Sequence, residues 1–267
     1  MPAPAYHADD GAAYERFLGR WSGRLAEALI DFAGLPVDGP VLDVGCGTGS
    51  VAFALSRRYP GRSVCAVDAA ASYLAFARRR KGGASIRFER ADAADLPFDA
   101  GMFAGSIAQL ALNFVPDAER AAQEMRRVTR AGGVVAAAVW DFRGGLVFQR
   151  LFWDTVAAID PQAALMRDRL FAHPLAQQDG LVGLWQEIGL EDIDGRSLTI
   201  RMDYQSFDDY WEPLLGGQGP FGSYVAGLPQ GRRERIRAAV RAAYHSGGPD
   251  GPRSLAATAW AVRGRVP

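Results

Sequence analysis

The feature that most constrains the fold of this chain is the stretch 41–50, with the sequence VLDVGCGTGS. Val41, Leu42 and Val44 predict a short buried parallel strand, and the glycines after them predict a tight turn. The apolar run 51–55 then predicts the start of a helix. In such a unit, backbone N–H groups can approach a ligand without an intervening Cβ atom. The stretch therefore predicts the first strand–helix unit of an open α/β sheet, with a ligand at its turn.

The spacing of the glycines indicates which ligand this turn binds. Gly45, Gly47 and Gly49 follow the pattern G-x-G-x-G, whereas dinucleotide sites use G-x-G-x-x-G. The last glycine of the dinucleotide pattern is replaced here by Ser50. Asp43 also lies inside the strand, where its carboxylate would repel a pyrophosphate but could accept hydrogen bonds from an ammonium group. This chemistry favours the methionine end of S-adenosylmethionine (SAM), although a lone glycine turn is also compatible with an ordinary strand–helix connection.

At these residues the chain resembles the class I SAM-dependent methyltransferases, particularly the small-molecule branch that includes enzymes of quinone biosynthesis. The resemblance covers residues 12–141 well and the last strand moderately. It implies an α/β fold with a Rossmann-like, doubly wound, seven-stranded and mostly parallel sheet. The last strand would be antiparallel, and α-rich insertions would form a lid. It also implies an enzyme that uses SAM as cofactor and methylates a small-molecule acceptor.

Two acidic strand ends are candidates for binding the adenosine part of SAM. Asp68 ends the second predicted strand, 19 residues after Gly49, where a carboxylate could accept hydrogen bonds from a ribose diol or could simply cap the next helix. Ala69 would then leave room for the adenine. Asp92 and Ala93 match the family's third motif, in which an acidic side chain and the next N–H bind the adenine amino edge. The alternative for Asp92 is a local Asx turn.

The methionine end of SAM has candidates in an N-terminal helix and at the end of the fourth strand. The resemblance places Tyr14, Arg20 and Trp21 over that end, and Arg20 could pair with the cofactor carboxylate. An exposed arginine and a core tryptophan are the alternatives. Gln109 ends the strand where the sulfonium and the acceptor should meet, unless it is only a polar residue facing water. The predicted cofactor site comprises Tyr14, Arg20, Trp21, Asp43, Gly45, Cys46, Gly47, Gly49, Asp68, Ala69, Asp92, Ala93 and Gln109.

Two segments interrupt the regular alternation of strands and helices. The predicted organisation is a cofactor-binding core with its N-terminal helix (1–141), a lid insertion (142–179), a core helix and strand (180–203), a second lid insertion (204–247) and a final core strand (248–267). Each insertion brings large aromatic side chains, from which we predict an acceptor pocket. Its predicted residues are Trp153, Tyr210, Trp211 and Phe221. The alternative is that the insertions pack together as a hydrophobic subdomain or form a homodimer interface.

Methyl transfer from a sulfonium requires alignment and exclusion of water, but neither a metal nor a strong base. No His/Cys/Asp/Glu spacing indicates a metal site. His7, His173 and His245 remain possible general bases, and no catalytic residue is assigned. The run 113–116, Asn-Phe-Val-Pro, differs from the motif of enzymes that methylate amines of DNA bases or glutamine. The sequence does not identify the acceptor atom. Two alternatives also remain: a SAM enzyme that catalyses a non-methylating reaction, and a non-catalytic SAM-binding module.

Composition limits the possible partners of the chain. Thirty basic and thirty acidic residues give a formal net charge of zero, which predicts neither a nucleic-acid partner nor a membrane partner. No apolar run approaches the ~18 residues of a membrane span. Two cysteines, Cys46 and Cys65, do not make a disulfide framework. We therefore expect a cytoplasmic protein, which could be a homodimer.

Overall fold

The computed structural model describes residues 10–80, 82 and 86–267, and its centre is a seven-stranded sheet of order β3-β2-β1-β4-β5-β7-β6. The strands are β1 (Val41–Val44), β2 (Val64–Asp68), β3 (Ile86–Arg90), β4 (Phe103–Gln109), β5 (Thr129–Trp140), β6 (Glu191–Tyr204) and β7 (Arg253–Arg265). Strands β1 to β5 pair in parallel, whereas β7 is antiparallel to both β5 and β6. This arrangement confirms the predicted fold class.

Helices cover both faces of the sheet. They are α1 (Gly11–Tyr14), α2 (Arg20–Ala33), α3 (Ser50–Arg58), α4 (Ala71–Arg79), α5 (Ala118–Val128), α6 (Val147–Ala157), α7 (Pro161–Phe171), α8 (Gly180–Glu187), α9 (Phe207–Trp211), α10 (Gly219–Ala226) and α11 (Gln230–His245). A π-helical turn, Glu15–Gly19, joins α1 to α2. Helix α2 ends at Gly34, which adopts the left-handed conformation that glycine tolerates best.

The core has two layers, one on each side of the sheet. Alternate residues of β5 point into different layers, as expected for a strand covered on both faces. Ala138 belongs to the same buried cluster as Leu29 of α2. Val139 belongs to the other cluster, with Met125 of α5 and Trp185 of α8. Burial on both faces therefore explains why the second half of β5 is almost entirely apolar.

The order of the strands positions the functional site. Val41 of β1 is paired with Val64 of β2 on one side and with Gly105 of β4 on the other. The chain continues from β1 toward β2 and β3, and then crosses to β4 and β5 on the opposite side. In open α/β sheets, a crevice opens at this reversal, outside the carboxyl ends of the strands. The glycine turn after β1 lies at that crevice.

The two segments predicted as insertions pack against each other. The rings of Phe152 in α6 and Phe221 in α10 meet edge to face, with centroids 4.1 Å apart. The Tyr210 hydroxyl donates a hydrogen bond to the Phe148 carbonyl oxygen over 2.8 Å. Trp211 is only 1% exposed. Most of the large aromatics of these segments therefore form a shared hydrophobic cluster.

Two elements differ in extent from the sequence prediction. The strand expected within residues 180–203 runs from Glu191 to Tyr204. One of its faces is open and carries polar residues, which obscure the apolar pattern of a strand. Helix α7 was not predicted. Asp160 caps it by accepting the Gln162 N–H, and Pro161 occupies its first turn. In the described part of the chain, no helix combines the length and the apolarity needed to cross a membrane.

Candidate functional site

A cavity of about 320 Å³ lies at the carboxyl ends of β1, β2 and β4. Most of the predicted cofactor residues line it, namely Tyr14, Asp43, Gly45, Cys46, Gly47, Asp68, Ala69, Asp92, Ala93 and Gln109. These residues are up to 95 positions apart along the chain, between Tyr14 and Gln109, and the sheet brings them together. Arg20, Trp21 and Gly49 are not part of this wall.

The three glycines of the turn have different roles. All have positive φ angles, of 68° at Gly45, 54° at Gly47 and 93° at Gly49, which glycine adopts most readily. A Cβ atom at Gly49 would lie 2.8 Å from the ring of Phe53, so this glycine is required for packing behind the turn. At Gly47 the nearest atom would be Tyr73 Cδ2, 3.9 Å away. Gly47 therefore leaves its backbone open to the cavity.

Asp68 fixes the glycine turn to the end of β2. Its Oδ2 accepts the Gly47 N–H over 2.7 Å, and its Oδ1 accepts the Ala70 N–H over 2.8 Å. Burial raises the pKa of Asp68, and the two backbone hydrogen bonds oppose that increase. Because each carboxylate oxygen has a second lone pair, Asp68 can still accept hydrogen bonds from a ligand.

Asp43 is a buried carboxyl group in the wall of the cavity. It is 1% exposed, and its Oδ2 accepts the Ala52 N–H over 2.9 Å. Burial raises the pKa of Asp43 to about 8, and the negative charge of Asp68 adds to that increase. A cation bound in the cavity would stabilise the ionised form. The ammonium and sulfonium groups of SAM both have the required charge.

The helical segment at the start of the described chain is tied to the glycine turn. Thr48 Oγ1 donates to Glu15 Oε1 over 2.5 Å, and Arg80 donates to the Thr48 carbonyl oxygen over 2.9 Å. The Tyr14 hydroxyl lies 3.3 Å from Ser22 Oγ, and both residues line the cavity. Burial raises the pKa of Tyr14 to about 12, so its phenol is neutral at physiological pH. The segment therefore closes one side of the cavity.

Within the described part of the chain, only the nitrogen of the Gln109 side-chain amide has a hydrogen-bond partner. Its Nε2 donates to the Ser22 carbonyl oxygen over 3.0 Å. Its buried Oε1 has no hydrogen-bond partner among the described residues. Gln109 as a residue lines the cavity.

Asp92 forms the local Asx turn and also lies in the wall of the cavity. Its Oδ1 accepts the Ala94 N–H over 2.9 Å, which is the local Asx turn. Asp92 and Ala93 also line the cavity, on the side of β3. The Asx turn uses Oδ1 and orients the carboxylate, while Oδ2 takes no part in this hydrogen bond.

Arg20 and Trp21 are directed away from the cavity. Arg20 donates to Asp209 Oδ1 over 2.7 Å and to the Asp209 carbonyl oxygen over 3.1 Å. Its guanidinium lies 4.5 Å from the Trp21 ring centroid, and that ring meets Tyr204 at 5.6 Å. The structure therefore pairs Arg20 with a protein carboxylate in α9, where the resemblance suggested the cofactor carboxylate.

Three of the four predicted acceptor-pocket aromatics do not reach a described cavity. Trp153, Tyr210 and Trp211 are buried in the aromatic cluster between the two insertions. Trp211 stacks on Phe207, with ring centroids 5.9 Å apart. Phe221 alone of the four contributes to a cavity wall. Composition could not distinguish aromatics that fill a core from those that line a pocket.

A second, smaller cavity adjoins the first. Tyr14, Leu110 and Phe114 line both cavities, so the two meet at these residues. The volume open to the centre of a water molecule is about 40 Å³. The rest of its wall is Phe17, Leu18, Trp140, Phe142, Gln149, Leu170, Gly219, Pro220 and Phe221. Apart from Phe221, the sequence analysis did not assign these residues to the site, and nothing in their local pattern distinguishes them from core positions.

Neither His173 nor His245 lies in the wall of either cavity. His7 lies outside the described residues. Burial lowers the pKa of His173, and His245 Nε2 lies 3.5 Å from Asp250. Within residues 10–80, 82 and 86–267, no group of three or more His, Cys, Asp or Glu side chains could hold a metal ion. Cys46 and Cys65 are free and buried, and burial raises the pKa of both thiols.

The residues of the main cavity fit SAM. At Gly47 the backbone faces open space that a side chain would occupy. Asp43 is a buried carboxyl group with no cationic partner among the described residues. Asp68 is placed to bind a diol. A dinucleotide would instead bring its pyrophosphate toward the buried carboxyl group of Asp43.

Comparisons with known proteins agree with this assignment. A profile of the family described as "Methyltransferase domain" matches residues 41–133. An uncharacterised protein of Mycobacterium tuberculosis is 28% identical over 197 residues, which cover 72% of this chain and 70% of that protein. The demethylmenaquinone methyltransferase of Thermus thermophilus is 35% identical over 116 residues, or 43% of this chain and 51% of that enzyme.

Solved structures share the fold. The geranyl diphosphate C-methyltransferase of Streptomyces coelicolor, solved with Mg²⁺, geranyl diphosphate and S-adenosylhomocysteine (SAH), superposes with a TM-score of 0.53 at 20% identity. The match covers 93% of this chain and 81% of that enzyme. The solved structures agree in fold, the domain match covers residues 41–133, and the cavity fits SAM. Together these findings identify the chain as a SAM-dependent methyltransferase.

Proposed function

We propose that this protein transfers the methyl group of SAM to a small, largely apolar acceptor held in the second cavity. The observation that carries the proposal is the junction of the two cavities at Tyr14, Leu110 and Phe114. SAM bound in the main cavity with its methyl group toward this junction would face an acceptor in the smaller cavity. Contact of this kind is what displacement at a methyl carbon requires.

Each part of SAM has a protein partner in this arrangement. Asp92 lies beside the adenine, and Asp68 accepts hydrogen bonds from the ribose. Asp43 and the free Oε1 of Gln109 serve the cationic methionine end. The backbone at Gly47 approaches the ligand closely because no side chain intervenes.

Segments from both insertions form the acceptor side of the site. Gln149 and Leu170 come from the segment 142–179, and Phe221 comes from 204–247. The aromatic cluster between the insertions supports these residues from behind. We propose that the two segments act as a lid through this packed unit, with Phe221 as the contact residue retained from the predicted set.

The proposed chemistry depends on alignment and on exclusion of water. When bound, SAM supplies an electrophilic methyl group: its carbon–sulfur bond breaks, the electron pair stays on sulfur, and an acceptor lone pair forms the new bond. The apolar wall of the smaller cavity would strip water from the acceptor. Tyr14 is the only titratable side chain among the described residues of that wall, and its raised pKa keeps it neutral. The methylated acceptor therefore keeps its proton until it leaves the cavity and reaches bulk water.

Incubation of the protein with SAM carrying a ¹³C-methyl group and a metabolite extract tests the proposed function. A ¹³C-methylated product, formed in step with SAH, is expected. Release of methylthioadenosine would instead indicate a non-methylating reaction on the same fold. Tight binding of SAM without any turnover across fractionated extracts would indicate a non-catalytic binding module.

A further inference from the structure

The wall of the smaller cavity carries no charge at neutral pH. Its described residues are aliphatic, aromatic or glycine, apart from the Tyr14 phenol, the Trp140 indole and the Gln149 amide. Phosphate or carboxylate groups placed here would lose their hydration without gaining a counter-charge. An ammonium group could face the aromatic rings, but it would find no carboxylate among the described residues of this wall to balance its charge. The chemistry of the wall therefore selects an uncharged ligand.

Two buried polar atoms of this wall have no partner among the described residues. They are Oε1 of Gln149, a residue 7% exposed, and Nε1 of Trp140, a residue 3% exposed. Buried polar groups are nearly always hydrogen-bonded, since leaving one unpaired costs free energy. One of these atoms accepts a hydrogen bond and the other donates one. Both residues line the smaller cavity, so a ligand there would lie next to an unpaired acceptor and an unpaired donor.

Backbone contacts hold this pair in place. Trp140 is the last residue of β5, where it is paired with Ala259 of β7. Gln149 lies in the first turn of α6, directly after an isolated bridge between Leu146 and Ala257 of β7. Both side chains therefore project from segments anchored to the same strand. Such anchoring keeps the two polar groups in position before a ligand binds.

We infer that the acceptor is an uncharged molecule with an apolar body, and that Gln149 and Trp140 recognise a neutral polar group on it. Gln149 accepts a hydrogen bond from the acceptor, and Trp140 donates one to it. The rings of Phe114, Phe142 and Phe221 contact the apolar body. The inference rests on the proposed function, because it assigns the smaller cavity to the acceptor.

The test uses simple aromatic probes and full-length protein saturated with SAH. Benzamide carries a neutral donor and acceptor, benzoate and phenyl phosphate carry a negative charge, and toluene has no polar group. Calorimetric or ligand-observed NMR titration should show benzamide binding roughly tenfold or more tightly than either anion. Toluene measures the apolar contribution alone.

Two variants isolate the polar pair. Gln149→Met keeps the length of the side chain, and Trp140→Phe removes the indole N–H; each should weaken benzamide binding about tenfold while toluene binding changes little. Gln186→Met, at an exposed position of α8, is the matched control and should change neither. Melting temperature and SAH affinity are measured for every variant to establish that it is folded.

Three results would overturn the inference. They are equal or tighter binding of either anion, an equal loss of benzamide and toluene in the variants, and no binding of benzamide by SAH-loaded protein. The SAH titration precedes these experiments and tests the proposed function separately. Failure to bind SAH would refute that function together with the inference, whereas normal SAH binding with any of the three results would refute the inference alone.

Discussion

Replacing Asp43 with asparagine should uncouple SAM binding from pH. In the ligand-free protein, burial raises the pKa of the Asp43 carboxyl to about 8, so the group is mostly protonated at neutral pH. Cationic SAM favours the ionised form, and binding should therefore release a proton. Asparagine has nearly the same shape and can still accept the Ala52 N–H, but it cannot ionise.

The size of the effect follows from the fraction of Asp43 that is ionised. With a pKa of about 8, about 1% is ionised at pH 6 and about half at pH 8. If only the ionised form binds SAM tightly, the association constant should rise up to ~50-fold across this range. In Asp43→Asn this increase should be absent, and binding at pH 8 should be weaker than in the wild-type protein.

Titration calorimetry from pH 6 to pH 8 measures both proteins under matched conditions. The amino group of SAM also titrates near pH 8, so the two proteins are compared mainly on the rise between pH 6 and pH 7, where that group stays mostly protonated. The ratio of their dissociation constants should increase with pH, and proton release should appear only with the wild type. A ratio independent of pH would refute the role given to the Asp43 charge.

The same carboxyl predicts the direction of a stability change. Its pKa in the folded protein lies above the value near 4 of an unfolded chain, so the folded state retains a proton that the unfolded state has released. The contribution of Asp43 to stability is therefore lost as pH rises from about 4 through 8. Ligand-free Asp43→Asn should gain melting temperature relative to the wild type over that window.

Three further substitutions test other parts of the structure. Gly47→Val should abolish SAM binding because the valine side chain enters the cavity. The control Gly61→Val, at another positive φ with open space around it, should show similar backbone strain but bind SAM normally. Equal SAM affinity of the two variants would contradict the role of Gly47. Asp68→Ala should weaken SAM binding by about 1.5–3 kcal/mol in calorimetry, since hydrogen bonds to a charged group are lost; unchanged affinity would remove the ribose assignment. Trp211→Ala should lower the unfolding free energy by about 3–5 kcal/mol, because its ring is buried in the cluster; a loss of turnover with unchanged stability would instead make it an acceptor contact.

The fold could be predicted from the sequence because its signals are local. The apolar strand β1, the glycine turn and the amphipathic helix after it each have a distinct pattern, and together they identify a parallel open sheet. The full length of strand β6 could not be predicted, because alternation on an edge strand is masked by its polar face. The start of α7 had a usable signal in Asp160 and Pro161, an N-cap residue followed by proline.

The main cavity was also largely predictable, since its residues follow strand ends that a parallel sheet brings to one edge. The partner of Arg20 was not, because Asp209 lies 189 residues away along the chain and no sequence pattern links the two. Aromatic content could not separate Trp153 and Trp211, which fill the core, from Phe142, which lines the smaller cavity. Such distinctions depend on side-chain packing, which sequence periodicity does not encode.

The most direct test of methyl transfer at the junction of the cavities is a crystal structure of the protein with SAH. The adenine is expected beside Asp92 and the ribose hydroxyls on the carboxylate of Asp68. The SAH sulfur should lie at the junction lined by Tyr14, Leu110 and Phe114, facing the smaller cavity. A sulfur atom directed away from that junction, or SAH bound outside the main cavity, would contradict methyl transfer at this site.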